Sequence, residues 1–386
     1  MRVSAAFLDD PALRRVLTML ENGGHRAFVV GGAVRNAVLG QPVDDIDIAT
    51  DAIPLRVVEL ATAEGLKTVP TGIEHGTVTV IANGTPFEVT TFRRDVETDG
   101  RNATVAFSDR IEDDAARRDF TMNALYATAS GKVLDPVGGW PDLRRRVLRF
   151  VGDPTARIRE DYLRILRFFR FYAWYADSSA PGATEAITAE KEGLPRVSAE
   201  RIGAEMRKLL SAPDPSHALA LMAQTGVLSF VLAGADISAM PALIEAEKTD
   251  GTSPDWLRRL SLIAAQVDLA GLRLSRAETN RLKALTLAAE LSPAEAGYYH
   301  GQALAHDAML VRLARREPLP EDWQEQVGRA ANAALPIAAT DLMPDLQGAA
   351  LGRGLKAAEE LWLASGFSSE RAALIETARQ AGKQDA

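Results

Sequence analysis

The sequence predicts an α+β protein: a small mixed-sheet head followed by an all-helical remainder of more than 230 residues. Three observations carry that prediction. Short strand-like runs separated by turn residues fill roughly the first 130 positions. Two of them, Thr77-Val78-Thr79-Val80 and Phe87-Glu88-Val89-Thr90, are joined through Asn83-Gly84, the strongest short-range hairpin signal. Beyond about residue 143 strand signals fade and apolar residues recur at helical spacing.

Taken in order, residues 11–22 place Leu13, Val16, Leu17 and Leu20 on one helical face. A buried strand at 27–30 runs into the Gly31-Gly32 turn, a short helix ending near Gly40, and a second strand at 46–49. Pro54 opens a helix reaching about residue 63, at a position where its missing N–H costs little. Strands follow at 67–70, 77–82 and 86–93. The polar stretch 94–114 lacks apolar periodicity and is expected to be a mobile loop. Arg117 begins a helix through Tyr126, and a Gly/Pro-rich break covers 135–141. One long helix is expected at 158–176, and another at 198–210 with Ser198 as its N-cap. Further helical segments are expected at 216–231, 240–247, 254–269, 275–290, 293–316, 322–334 and 354–380, punctuated by proline and glycine.

Apolar residues make up 47% of the 386-residue chain, which is ordinary for a globular protein and allows a substantial core. No secretory leader and no run long enough to span a bilayer is read, so no membrane partner is expected. The absence of cysteine rules out disulfides and thiolate metal sites and suits the cytoplasm. A net charge of −8 argues against indiscriminate nucleic-acid binding, and no DNA partner is expected. Locally, however, residues 144–170 hold nine arginines against Asp153, Glu160 and Asp161, the pattern of a site that tracks an RNA backbone. Individual members such as Arg145 and Arg146 read equally as solvated charges.

Asp45 and Asp47 stand two residues apart on the second strand, and alternation along a strand points both carboxylates to one side. They repel unless a cation lies between them; Mg2+ suits, being a hard ion that takes oxygen ligands and keeps positions open for phosphate. Asp-x-Asp alone also reads as a solvated strand end. The Gly31-Gly32 turn, whose backbone N–H groups phosphate can approach closely, favours the metal site. Glu88 is either a third carboxylate or an outward-facing strand residue. Arg35, one helical turn after Gly32, either meets phosphate or lies on the surface. A metal-held triphosphate attacked by a hydroxyl needs positioning and charge neutralisation rather than covalent participation by the protein. The pattern therefore points to nucleotidyl transfer, with Asp45 and Asp47 ligating two ions.

Gly31-Gly32-Ala33-Val34-Arg35 followed by Asp45-Ile46-Asp47-Ile48-Ala49-Thr50 resembles the signature of the class II tRNA nucleotidyltransferase/poly(A) polymerase family, within the polymerase-β superfamily. The resemblance continues in order through Thr71-Gly72-Ile73-Glu74-His75-Gly76, Thr91-Phe92-Arg93-Arg94-Asp95, Arg117-Arg118-Asp119-Phe120-Thr121-Met122-Asn123, the segment 135–143, Arg157-Ile158-Arg159-Glu160-Asp161-Tyr162-Leu163-Arg164 and Ser198-Ala199-Glu200-Arg201-Ile202. It implies a head at 1–142 that performs transfer, a helical neck at 143–215 that reads the nucleobase, and a helical body and tail at 216–386 that bind tRNA. It also implies that Gly31, Gly32 and Arg35 bind triphosphate, that Asp119 and Asn123 bind the ribose, and that Asp161 and Arg164 bind the base, with Arg118, Arg167, Glu200 and Arg201 in support. On one helix Asp161 and Arg164 would share a face. Cytosine and adenine each offer an amine donor beside a ring-nitrogen acceptor, which match a carboxylate and a guanidinium. Uracil and guanine reverse that pattern, so one pair can accept CTP and ATP and refuse the others.

The chain departs from the family at Asn36, where aspartate is usual. The basic element of bacterial poly(A) polymerases is replaced by His75-Gly76-Thr77-Val78. His300, His306 and Asp307 do not make the cluster of a phosphohydrolase domain. The expected activity is template-independent CCA addition to tRNA from CTP and ATP. Partial CC or A addition and poly(A) synthesis are the rivals within the family. Outside it stand a non-catalytic RNA-binding adaptor and a dinucleotide oxidoreductase, the latter disfavoured because the Gly-x-Gly-x-x-Gly spacing fails. Oligomeric state stays open.

Overall fold

Asp10 starts the first helix: its carboxylate accepts the N–H of Ala12, while Pro11 takes the first helical position. This helix, α1 (Pro11–Asn22), buries Leu13, Val16, Leu17 and Leu20 against a seven-stranded mixed sheet. The computed structural model describes residues 1–99, 102–264 and 267–383, in two units, Met1–Val231 and Leu232–Ala386.

In the first unit, β1 (Ala27–Val30) leads through α2 (Gly32–Leu39) to β2 (Asp47–Thr50), and α3 (Pro54–Ala63) leads to β3 (Lys67–Gly72), β4 (Thr77–Ala82) and β5 (Thr85–Thr91). Asn83 and Gly84 both have positive φ, 51° and 84°, as a two-residue hairpin turn requires. A separate antiparallel ribbon, β6 (Arg93–Asp99) and β7 (Asn102–Phe107), precedes α4 (Ile111–Ala116), and β8 (Tyr126–Ala127) and β9 (Val133–Leu134) complete the sheet. The order is β3-β4-β5-β2-β1-β8-β9, with β2 and β5 parallel and the other pairs antiparallel. Phe28, Phe92 and Tyr126 pack ring to ring at 6.2–6.5 Å in the core against Ile111, Ala115 and Val151.

The same unit continues with α5 (Gly139–Arg144), β10 (Val147–Leu148), α6 (Pro154–Glu160), α7 (Leu163–Tyr175), β11 (Ser178–Ser179), α8 (Ala183–Glu190), α9 (Ala199–Leu210), α10 (Ser216–Gln224) and α11 (Val227–Val231). Phe120 and Phe150 meet Phe168 and Phe171 of α7 in a second aromatic cluster.

The second unit is helical: α12 (Met240–Asp250), α13 (Trp256–Ile263), α14 (Arg276–Ala288), α15 (Pro293–His300), α16 (Gln302–Ala314), α17 (Trp323–Ala331), α18 (Ala339–Leu342), α19 (Gly348–Ala364) and α20 (Arg371–Lys383). Ser275 with Glu278, and Ser292 with Glu295, form capping boxes that start α14 and α15. Arg258 and Arg259 are fully buried, and both donate to Glu247; Arg258 also pairs with Asp307 at 2.5 Å. No described helix is long and apolar enough to cross a membrane.

Four sequence expectations are corrected. The stretch 94–114 is not a loop but mostly the β6–β7 ribbon and α4; residues 100 and 101 lie outside the described residues. Apolar periodicity reports burial, whereas antiparallel pairing uses the backbone of any residue. The helix expected from Arg117 to Tyr126 is a single 3-10 turn, Thr121–Asn123, followed by β8, because Asp119 takes the Phe120 N–H and competes with helix. The helix expected at 158–176 breaks at Asp161, whose carboxylate accepts the Leu163 N–H and starts α7 anew. Segments 216–231, 293–316 and 354–380 are each split in two, at Gly226, Gly301 and Gly366, all in positive φ.

Gly139 packs directly on the Thr121 carbonyl, where a Cβ would overlap the backbone oxygen. Gly139→Ala is expected to cost about 2–3 kcal/mol in urea unfolding, because neither backbone can yield.

Candidate active site

β1 ends at Val30 and α2 begins at Gly32; between them Gly31 has φ 70° and ψ −122°. Side-chain-bearing residues rarely adopt that conformation, and a Cβ on Gly31 would sit 3.3 Å from the Arg118 guanidinium. The turn therefore opens the first N–H groups of α2, which have no intrahelical acceptor, beside a cation.

Parallel pairing of β2 with β5 sets Asp47 directly beside Glu88 in register, so both carboxylates project to the same face of the sheet. Asp45 is not on the strand, contrary to the expectation of one alternating strand: β2 starts at Asp47, and Asp45 belongs to the preceding irregular segment. Asp44, Asp45, Asp47, Thr79 and Glu88 nevertheless line one cleft of about 530 Å3. Asp47 is open to solvent, yet its carboxyl lies above the usual range. Desolvation by the surrounding protein is the main cause, then Glu88, with Asp45 adding a little and Arg118 opposing. Such uncompensated negative charge suits a cation. Among the described residues no group of three or more acidic or histidine side chains is gathered closely enough to hold a metal ion by itself.

Arg118 is held for this position. It donates to Asp114 at 3.0 Å and to the Tyr126 hydroxyl at 3.1 Å, while Tyr126 donates to Asp114 at 2.7 Å. Arg35, expected at the triphosphate, is instead buried and bonded to protein: it donates to Asn123 at 2.6 Å, to Asn36 at 2.9 Å and to the Tyr175 hydroxyl at 3.0 Å, and stacks on Tyr175 at 3.8 Å. Burial depresses its pKa. Asp119 and Asn123 come together as the sequence spacing suggests, but both are buried, with Asn123 donating to Asp119 at 2.9 Å. Asp119 also accepts from the Phe120 N–H and from Arg167 of α7. Burial alone would raise the Asp119 carboxyl, but Arg167 and Asn123 hold it below the usual range.

At the α6–α7 break, Asp161 and Arg164 do not share a helical face and are not bonded to each other through their side chains. Arg201 of α9 clasps Asp161 with both terminal nitrogens, at 2.7 and 3.3 Å. Arg164 donates to Glu160 at 2.5 Å and to the carbonyl oxygens of Arg157 and Arg117. Glu200 is exposed on the first turn of α9.

Residues the sequence reading passed over complete the arrangement. Glu205 of α9 accepts from Arg170 at 2.5 Å, and Asp114 and Tyr175 hold the two arginines nearest the turn. Glu205 had a signal: it is an acid at i and i+4 with Leu209, inside an apolar helical stripe.

A sequence profile described as "Poly A polymerase head domain" matches residues 27–149, and one described as "Probable RNA and SrmB- binding site of polymerase A" matches 180–237. A CCA-adding enzyme of Geobacillus thermodenitrificans is 40% identical over 246 residues, 63% of this chain and 56% of that protein. The human mitochondrial CCA tRNA nucleotidyltransferase 1 is 36% identical over 267 residues, 68% of this chain and 62% of that protein. The match thus spans little more than half the length of these curated relatives. The crystal structure of the Bacillus stearothermophilus CCA-adding enzyme in complex with CTP aligns with a TM-score of 0.75 at 30% identity, covering 96% of this chain and 98% of that one. The Thermotoga maritima CCA-adding enzyme complexed with tRNA shares the fold, with a TM-score of 0.72 at 20% identity over 98% of each chain. The chain belongs to the class II tRNA nucleotidyltransferase/poly(A) polymerase family.

Two outcomes follow from the charges. Asp119→Asn is expected to lose about 3 kcal/mol near pH 7, as breaking a buried pair does. Because the native carboxyl is depressed, that difference is present above the ordinary carboxylate range and narrows in urea titrations as acid protonates Asp119. Asp47 has the opposite sign. Asp47→Asn is expected to raise the melting temperature of metal-free protein near pH 7 by about 2 °C, allowing for solvent screening. The gain should vanish toward the carboxylate range, where Asp47 takes up a proton.

Proposed function

We propose that this protein adds C, C and A to the 3′ ends of tRNA from CTP and ATP without a nucleic-acid template, releasing pyrophosphate, in the cytoplasm. The observation that carries the reading is the register pairing of Asp47 with Glu88 beside the Gly31 turn. It supports the reading by gathering carboxylates that would ligate metal and N–H groups that would meet phosphate at one edge of the sheet.

In this reading residues 1–142 perform transfer, 143–215 choose the base and 216–386 hold the tRNA. Asp45 and Asp47 would hold two Mg2+ ions, with Glu88 closing the site. When bound, the ions would neutralise the triphosphate and lower the pKa of the attacking 3′-hydroxyl. The backbone N–H groups after Gly31, with Arg118, orient the triphosphate. Arg35, whose donors are largely engaged by protein, acts by fixing α2 against the Tyr175 ring. Asp119 and Asn123 shape the ribose pocket: Asp119, whose oxygens are taken up by Phe120, Asn123 and Arg167, holds Asn123 in place, and Asn123 keeps acceptor capacity beyond its bond from Arg35. Arg201 and Glu160 aim Asp161 and Arg164 at the base: the carboxylate accepts from the exocyclic amine of cytosine or adenine, and the guanidinium donates to the adjacent ring nitrogen. Uracil or guanine would leave both groups facing their own kind, at roughly 1–3 kcal/mol each.

The test is incubation with tRNA ending at the discriminator base, Mg2+, and each nucleoside triphosphate alone or combined. Growth by three nucleotides only with CTP and ATP together is expected. Arrest at two, or long A tails, would select partial addition or poly(A) synthesis instead. Asp47→Ala should reduce transfer by at least about 10³-fold while tRNA affinity changes little, and Arg164→Ala should admit UTP. Full activity of the Asp47 variant would overturn the metal assignment.

A further inference from the structure

At the far end of α2 from the glycine turn lies a second concavity, about 450 Å3, that the transfer reaction leaves unused. Arg2, Arg144 and Arg146 line it together with Trp140, Ser4 and the last turn of α2, and no carboxylate does. In a chain with eight more negative than positive charges, three arginines around one hollow without an acid is unusual. Arg149, a few residues on, shows the alternative, being neutralised by Asp142 at 2.9 Å.

The wall is built rather than loose. Val3 donates its N–H to the Gly131 carbonyl at 2.9 Å, and Arg2 stands opposite Lys132 in an antiparallel bridge, so the first residues are pinned to the edge of the sheet. Arg146 takes a left-handed backbone, φ 53°, and its carbonyl accepts from Asp177 at 2.8 Å. Of the carbonyls in the last turn of α2, those of Ala37 and Asn36 accept the N–H groups of Gly40 and Gln41, which lessens the local repulsion for anions.

We propose that this hollow binds the phosphodiester backbone of RNA, with Arg2, Arg144 and Arg146 on phosphate and Trp140 offering a ring to the sugar or base. A nucleoside triphosphate arrives with its Mg2+ and calls for carboxylates; a phosphodiester needs only cations. The eight residues of α2 span about 12 Å, so one RNA can occupy this hollow while its 3′ end lies at the glycine turn. The inference rests on the reading of the protein as a tRNA nucleotidyltransferase for the identity of the RNA.

The experiment uses the full chain and fluorescence anisotropy with tRNA lacking its CCA end, over a salt series. Arg144→Gln combined with Arg146→Gln should weaken binding about 10-fold and flatten the slope of log affinity against log salt by about 1–2. The KM values for CTP and ATP at saturating tRNA should stay unchanged. Arg145→Gln, an exposed neighbour outside the hollow, should change neither. Unchanged affinity and slope in the double variant, or an equal loss in Arg145→Gln, would overturn the proposal. Salt-dependent loss in the double variant of a protein that adds no nucleotide would uphold this site and refute the functional reading instead.

Discussion

The buried pair of Asp119 and Arg167 is the contact on which the first unit depends. Asp119 sits in the turn after α4, and Arg167 belongs to α7. Through Asn123 the pair reaches Arg35 of α2, and through Arg167 and Arg170 it reaches Glu205 of α9. Three guanidinium groups, those of Arg35, Arg167 and Arg170, also surround the Phe171 ring at 4.3–5.4 Å. Removing charges from water is costly unless each is paired and hydrogen-bonded. Each member therefore holds the next in one geometry, and the helix that follows the glycine turn is locked to the helix that carries Arg164.

The cleft at Asp47 obeys the opposite rule. There Asp47 and Glu88 are placed side by side by the sheet, and burial together with Glu88 pushes the Asp47 carboxyl upward against the opposing charge of Arg118. In the second unit, by contrast, Glu247 lies between the buried Arg258 and Arg259, and Asp307 accepts from both Arg258 and Arg281. Charge is balanced in these interiors and left unbalanced at the cleft, and it is this imbalance that the proposed metal site would use.

Much of the head was legible because its signals are local. Asn83-Gly84 makes a hairpin through the φ its two residues favour. Pro54 starts a helix through its own covalent chemistry, taking the first helical position. The β6–β7 ribbon was not legible, since backbone pairing of polar residues leaves no apolar pattern. Nor was the break at Asp161, where a side chain inside the expected helix captures the backbone N–H two residues on.

By itself the sequence determined which chemical groups the protein owns: the carboxylates of Asp45, Asp47 and Glu88, the glycines at 31 and 32, the arginines of 144–170, and a helical remainder set by apolar spacing. Only the tertiary structure decided which of these groups are free to act. It placed Glu88 beside Asp47 through the parallel pairing of two strands whose partners are 41 residues apart in the chain. It engaged Arg35, Asp119 and Asn123 with one another, and it gave Asp161 to Arg201 rather than to Arg164. The physical reason is that a buried polar group must find a partner, and which partner is nearest depends on packing between distant segments, which no local pattern encodes.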